Sequence, residues 1–213
     1  MSAHRFALAS TFVLIAGTAF AHHPGVQLNE VMAAQEPGFE PLDHIDAPEF
    51  DLTTATGAHL HLADFDGKVL ILSFVAGDCG PDCVAQQAAL AAVQARVNIT
   101  PMLGMADFLT ILEPGHSLPE AATSAFDPAN WQVLTADLAA GDPAAGDPAA
   151  YAAVSTRKGA LPMTFMVDRL GQVGGIFHGT TFGQVNMVLY INGLTNDHSR
   201  REPTLWQWLG SWF

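Results

Sequence analysis

Apolar and polar positions alternate along Phe50–Leu62 (FDLTTATGAHLHL) about Gly57, the period of two that predicts a β-hairpin. Asp66-Gly67-Lys68 predicts a turn, after which Val69–Val75 (VLILSFV) is a continuous apolar run but for Ser73. A run of that length with no polar face predicts a central strand buried on both sides. From Asp82 to Arg96 the chain is rich in Ala, Gln and Leu and lacks Gly and Pro. Val84, Ala88, Ala91 and Ala95 fall there at helical spacing, so a helix follows the strand. Asp107–Leu112 predicts the next strand and Trp131–Thr135 a short third one, with a short helix from Pro119 between them. Tyr151–Arg157 predicts a helix, and Gln184–Leu194 the closing one. Met163–Asp168 and Val173–His178 predict two strands joined through Arg169-Leu170-Gly171-Gln172. Strands alternating with helices, then a late hairpin, predict an α/β domain. Its mixed central sheet is flanked by helices and preceded by an N-terminal hairpin.

The flanks read differently. Met1–Arg5 ends in a basic residue, Phe6–Phe20 is apolar, and Ala19-Phe20-Ala21 offers small residues where a signal peptidase reads. Residues 1–21 are therefore expected to be a secretory signal cleaved after Ala21, which places the mature protein in the periplasm. No other stretch is apolar for long enough to span a bilayer. His22–Pro48 is polar and broken by prolines, an extended lead-in to a domain over 49–196. Ala139–Ala150 (AAGDPAAGDPAA) repeats a five-residue unit and predicts a surface insertion. The tail, 197–213, holds PTLWQWLGSWF with three of the four tryptophans. A short helix there would present an apolar face, to the domain or to a membrane protein.

Charge narrows the partners. The formal net charge is −13, and removing Arg5 with the signal takes it to −14. Such a chain repels nucleic-acid backbones and anionic lipid, so membrane contact is left to the tail alone.

The chemistry lies in FVAGDCGPDC, which holds both cysteines. A crosslink between Cys79 and Cys83 closes a ring of three intervening residues and braces little, because the stabilisation grows with loop length. The pair is a reactive dithiol, a metal clip, or inert. Its position between a buried strand and a helix favours the first two. A helix N-terminus carries unpaired N–H groups and partial positive charge, which stabilise a thiolate. Cys79, ahead of the helix, is the expected nucleophile, and Cys83 the thiol that resolves a mixed disulfide. Three intervening residues also widen the bite for a soft cation such as copper(I), and Asp78 and Asp82 would favour bound positive charge.

Phe50-Asp51-Leu52, Gly57, Asp66-Gly67-Lys68, VLILSFV and the C-x-x-x-C pair together resemble the Sco/SenC proteins. Asp127-Pro128-Ala129-Asn130-Trp131-Gln132-Val133-Leu134-Thr135 is similar to that family's D-P-x-x-W-x-x-L-T region. The resemblance runs from about Phe50 to Leu194. It implies a thioredoxin-like fold, copper as cargo, and a role in cytochrome oxidase assembly with an oxidase subunit as protein client. Two departures stand out. Cys79-Gly80-Pro81-Asp82-Cys83 looks like a thioredoxin CGPC with one aspartate inserted, where the family has C-P-x-x-C-P. Leu161–Gly171 (LPMTFMVDRLG) resembles the V-P-x-T-F-L-I-D-x-x-G of TlpA/ResA-type periplasmic reductases, which implies that Pro162 is the cis-proline packed on the dithiol.

Aligned on Asp168 and Gly171, the Sco copper-binding histidine falls at Ala160. His178, at the end of the last strand, is the candidate substitute, completing a metal site with Cys79 and Cys83 or serving as proton partner. The expected site is thus Cys79, Cys83 and Pro162 for exchange, and Cys79, Cys83 and His178 for copper. Two functions follow: a Sco-like copper(I) and thiol-handling protein of oxidase assembly, or a TlpA/ResA-like thiol–disulfide oxidoreductase with no stable metal site. His59 and His61, on one face of a predicted strand, form a weaker metal candidate.

Overall fold

One strand without a polar side organises the molecule. The computed structural model describes residues 27–54, 58–75, 77–113, 115–136, 148–157 and 162–197. In chain order these form α1 (Leu28–Gln35), β1 (Phe39–Asp46), β2 (Asp51–Thr53), β3 (His59–His61), β4 (Val69–Val75) and α2 (Pro81–Asn98). There follow β5 (Ala106–Leu112), α3 (Glu120–Thr123), β6 (Trp131–Thr135), α4 (Pro148–Val154), β7 (Met163–Val167), β8 (Gln172–His178) and α5 (Gln184–Asn196). The strands make a single sheet in the order β1-β8-β7-β4-β5-β6-β2-β3. β4, β5 and β6 run parallel, while β7, β8, β1 and the β2–β3 hairpin pair antiparallel.

β4 sits in the middle because both its faces need cover. Val69 and Ile71 face one core with Leu90, Val93 and Val97 of α2 and Tyr190, Ile191 and Leu194 of α5. Leu70 and Leu72 face a second core with Leu109, Phe165, Phe50 and Tyr151 of α4. Alternate side chains of a strand point to opposite faces, so one seven-residue run seeds both layers.

Two expectations are corrected. His22–Pro48 is not merely a lead-in: within its described part, α1 and β1 belong to the folded unit. Asn29 of α1 donates to the carbonyls of Leu42 and Gly174 and accepts from the Tyr190 hydroxyl. Glu36 accepts from the Gly183 N–H at the start of α5. Phe39 and Leu42 of β1 are buried. Pro41 is tolerated because β1 is an outer strand, with its register shifted between Pro41 and Ile45. The helix α2 forms as expected but packs through more than the four residues at helical spacing, of which Ala91 is buried. Ala88 and Ala95 are exposed, whereas Gln86, Gln87, Leu90, Gln94 and Val97 are buried. Alanines recur all round this helix and cannot mark a side. The glutamines can be buried because polar partners meet them: Gln87 bridges Ser73 and Thr110, and Gln94 bonds Asn130 and the Asp127 backbone.

No helix of the described residues is long and apolar enough to cross a membrane. Residues 1–26, Gly57, 137–147, Ala160 and the tail from 198 lie outside the described residues.

β8 approaches β1 closely at Gly175, where an added Cβ would lie 2.3 Å from Phe39 Cζ. Gly175→Ala is therefore expected to cost about 2 kcal/mol or more through overpacking, measured by urea unfolding. An unchanged midpoint would mean that Phe39, and with it β1, is not part of the cooperative unit.

Candidate functional site

The site is built where β4 ends and α2 begins. Gly77 takes a left-handed φ of 64°, and its N–H donates to Glu113 Oε2 at 2.7 Å, so the turn is tied to the loop after β5. Gly80 is the N-cap of α2 and Pro81 its first residue, where the missing N–H of proline costs nothing. Cys79 precedes the cap, Cys83 lies in the first turn, and the two form a disulfide with Cα atoms 5.2 Å apart. Both cysteines are partly exposed.

Beside them opens a cleft of about 470 Å³ lined by Cys83, Pro162, Phe74, Gln86 and Ala152, with Asp78 and Asp82 at its rim. Pro162 is held by the Gly179 N–H, which donates to its carbonyl at 2.8 Å. One wall is backed by aromatic rings, with Phe74 centred 5.1 Å from Tyr151 and 5.9 Å from Phe165. Tyr151 is fully buried and donates its hydroxyl to the Pro48 carbonyl; burial pushes its pKa far up, and Glu49 adds to the rise. Below the cleft, Gln86 of α2 donates Nε2 to the Met163 carbonyl and to Thr164 Oγ1, each at 3.0 Å, and so joins α2 to β7.

β8 returns to this end of the sheet, pairing His178 with Met163. Its imidazole, however, is buried and its Nε2 lies 2.7 Å from Glu40 Oε2 of β1. The set Cys79, Cys83 and His178 is not assembled in this state, because the sulfurs bond each other and the imidazole bonds Glu40. Among the described residues no group of three or more His, Cys, Asp or Glu side chains is placed to hold a metal ion. That holds for His59 and His61 too, which share Asp51 Oδ1 at 2.8 and 3.8 Å on an exposed face.

The structure brings forward residues that the sequence did not mark. His116 Nδ1 lies 3.2 Å from Asp78 Oδ1, next to Cys79. Glu40 also accepts from Ser155 Oγ and from the N–H and hydroxyl of Thr156. The Arg157 guanidinium donates to the Pro37 and Phe39 carbonyls. The segment leading toward Pro162 is thus fastened to β1. No local signal reveals the contacts of Glu40 and Arg157, whose partners are more than a hundred residues apart in sequence.

No family model matches the sequence, and no curated protein matches it. Solved structures do resemble it. BsSco, a member of the Sco family of cytochrome c oxidase assembly proteins, aligns with a TM-score of 0.54 at 12% identity, covering 74% of this chain and 96% of that one. The fold is thioredoxin-like. A SCO1/SenC family lipoprotein from Bacillus anthracis aligns at 0.52 and 18% identity, over 73% and 97% of the two chains. A thiol:disulfide interchange protein of the thioredoxin family from Chlorobium tepidum aligns at 0.50 and 16%, over 73% and 99%. In this thioredoxin-like frame the Cys79–Cys83 disulfide stands at a strand-to-helix junction, as the motifs implied.

Burial pushes the Glu40 carboxyl up, but hydrogen bonds from Thr156, Ser155 and His178 outweigh it and hold the pKa at about 2 against an ordinary 4.5. A depressed carboxylate pKa adds stability that is full above the unfolded value and is lost as pH falls through the folded one. Glu40→Gln is therefore expected to cost about 2 kcal/mol at pH 7. The difference from wild type should shrink as pH drops from 4.5 toward 2, as read from urea unfolding at several pH values. A pH-independent difference would remove the charge from this account.

Proposed function

We propose that this protein is an exported thiol–disulfide exchange protein that acts on the cysteines of a protein client during assembly of a copper site. The observation that carries the reading is a partly exposed disulfide at the head of α2, opening onto a mostly apolar cleft that Pro162 shares. Thioredoxin-like structures with Sco and thiol:disulfide interchange descriptions support it at the level of fold. Export rests on residues 1–21, and the Bacillus anthracis neighbour, a lipoprotein, accords with it.

In the reducing direction the Cys79 thiolate attacks a client disulfide, forms a mixed disulfide and releases one client thiolate. Cys83 then gives up its thiol proton and attacks the Cys79 sulfur, which restores the Cys79–Cys83 bond and expels the second client sulfur, and that sulfur takes up the proton as a thiol. Two electrons pass to the client, and an external dithiol must reduce the pair again. The first-turn N–H groups of α2 and its dipole favour thiolate at Cys79. The cleft between Phe74, Ala152 and Pro162 gives the client segment an apolar seat. The Asp78 and Asp82 carboxylates and the net charge favour neutral or basic clients.

Cys83→Ser is expected to trap a client on Cys79 as a mixed disulfide stable on a non-reducing gel, whereas Cys79→Ser should trap none and lose insulin reduction. Equal trapping by both variants would defeat the assignment of roles.

Copper(I) handling is the second reading, favoured by two soft sulfurs four residues apart with Asp78 and Asp82 beside them. Once reduced, Cys79 and Cys83 would hold the ion as cargo. Anaerobic copper(I) titration of the reduced protein is expected to give one tight equivalent that Cys79→Ser abolishes; no binding would leave exchange alone. Repeating it with His178→Ala separates two ligand sets. Weakened binding means that the imidazole leaves Glu40 to become a third ligand, and unchanged binding means that the sulfurs act alone.

A further inference from the structure

Gln86 is fully buried, and its Oε1 has no hydrogen-bond partner. The orientation of the amide is not arbitrary. The Met163 carbonyl can only accept, so the nitrogen must face it and the oxygen must face away. A buried acceptor left unpaired costs about 1–3 kcal/mol, and folded proteins rarely keep one without a use. What could fill it lies one turn back on the same helix. Cys83 and Gln86 are three residues apart, the spacing at which helical side chains meet, and both line the cleft. Of the other side chains lining the cleft, Phe74, Val75, Pro81, Ala149, Ala152 and Pro162 offer no donor, and Asp78 and Asp82 are acceptors. In the disulfide state Cys83 offers none either. Opening the bond creates an S–H there.

We propose that Gln86 Oε1 accepts a hydrogen bond from the Cys83 thiol in the reduced protein and so biases the Cys79–Cys83 pair toward its dithiol form. The inference rests on the exchange reading above. Reduction by a dithiol breaks the S–S bond and delivers two electrons. One proton goes to Cys83 Sγ, where Gln86 receives its hydrogen bond. The second goes to Cys79 Sγ, or to solvent where Cys79 is ionised. The unpaired acceptor exists only in the oxidised state, so its relief on reduction raises the reduction potential. Gln86 is a positioning residue: it holds the proton on Cys83 and leaves Cys79 to act as nucleophile.

The test is the redox equilibrium of the full chain against dithiothreitol, for wild type, Gln86→Leu and Thr164→Val. Gln86→Leu is expected to favour the disulfide by about tenfold, a potential lower by about 30 mV. Thr164→Val removes one partner of Nε2 but keeps Oε1, so it should lower stability in both states and leave the equilibrium in place. A Gln86→Leu equilibrium equal to wild type overturns the inference. A wild-type disulfide that dithiothreitol cannot open overturns it together with the exchange reading; normal opening with no effect of Gln86→Leu overturns it alone. Should Gln86→Leu not fold, the S–H stretch of reduced Cys79→Ser decides. A band below that of the unfolded chain supports the bond to Oε1, and a band at the same frequency refutes it.

Discussion

Everything at the site depends on β4 having nowhere to go but the middle of the sheet. Its side chains are apolar on both faces except at Ser73, whose hydroxyl is itself bonded to Thr110 and Gln87. Flanked by β5 and β7, the strand fixes the point where the chain leaves the sheet and enters α2. That exit holds both cysteines at the end of the sheet, where Pro162 also arrives ahead of β7. A rigid strand end and a helix start, rather than a long loop, set the position of the disulfide.

The frame was largely legible from pattern. β4, β6 and the β7–β8 hairpin follow from unbroken apolar runs or from alternation around turns, and these signals are local. So is the Cys79–Cys83 motif, whose meaning lies in what precedes and follows it. What escaped were contacts made by polar groups over long separations. Asn29, Glu36 and Glu40 lie in the polar, proline-broken segment that reads as an extended lead-in. Each is placed by partners near the far end of the chain, namely Tyr190, Gly183 and His178. The glutamines of α2 hid for the opposite reason: abundant alanine makes every face of that helix look apolar enough.

The same split explains His178. Topology alone brings β8 back to the dithiol end, through the antiparallel β7–β8 hairpin. Where the imidazole turns is decided by Glu40, a carboxylate on an element that the sequence did not place in the sheet. With β1 in the sheet, the imidazole has a carboxylate beside it that the C-terminal half of the chain alone does not supply.

Both outer strands also bear on how this chain behaves among copies of itself. A sheet of eight strands ends in two rows of unsatisfied backbone groups, which invite another chain to add on. At one border Pro41 withholds an N–H, the register shift breaks the row, and Asp43 and Asp46 add repulsion. At the other, β3 is three residues long and carries His59 and His61 beside Asp51. Among the described residues neither margin offers a long, flat, neutral template, so both borders are blunted against the addition of another strand.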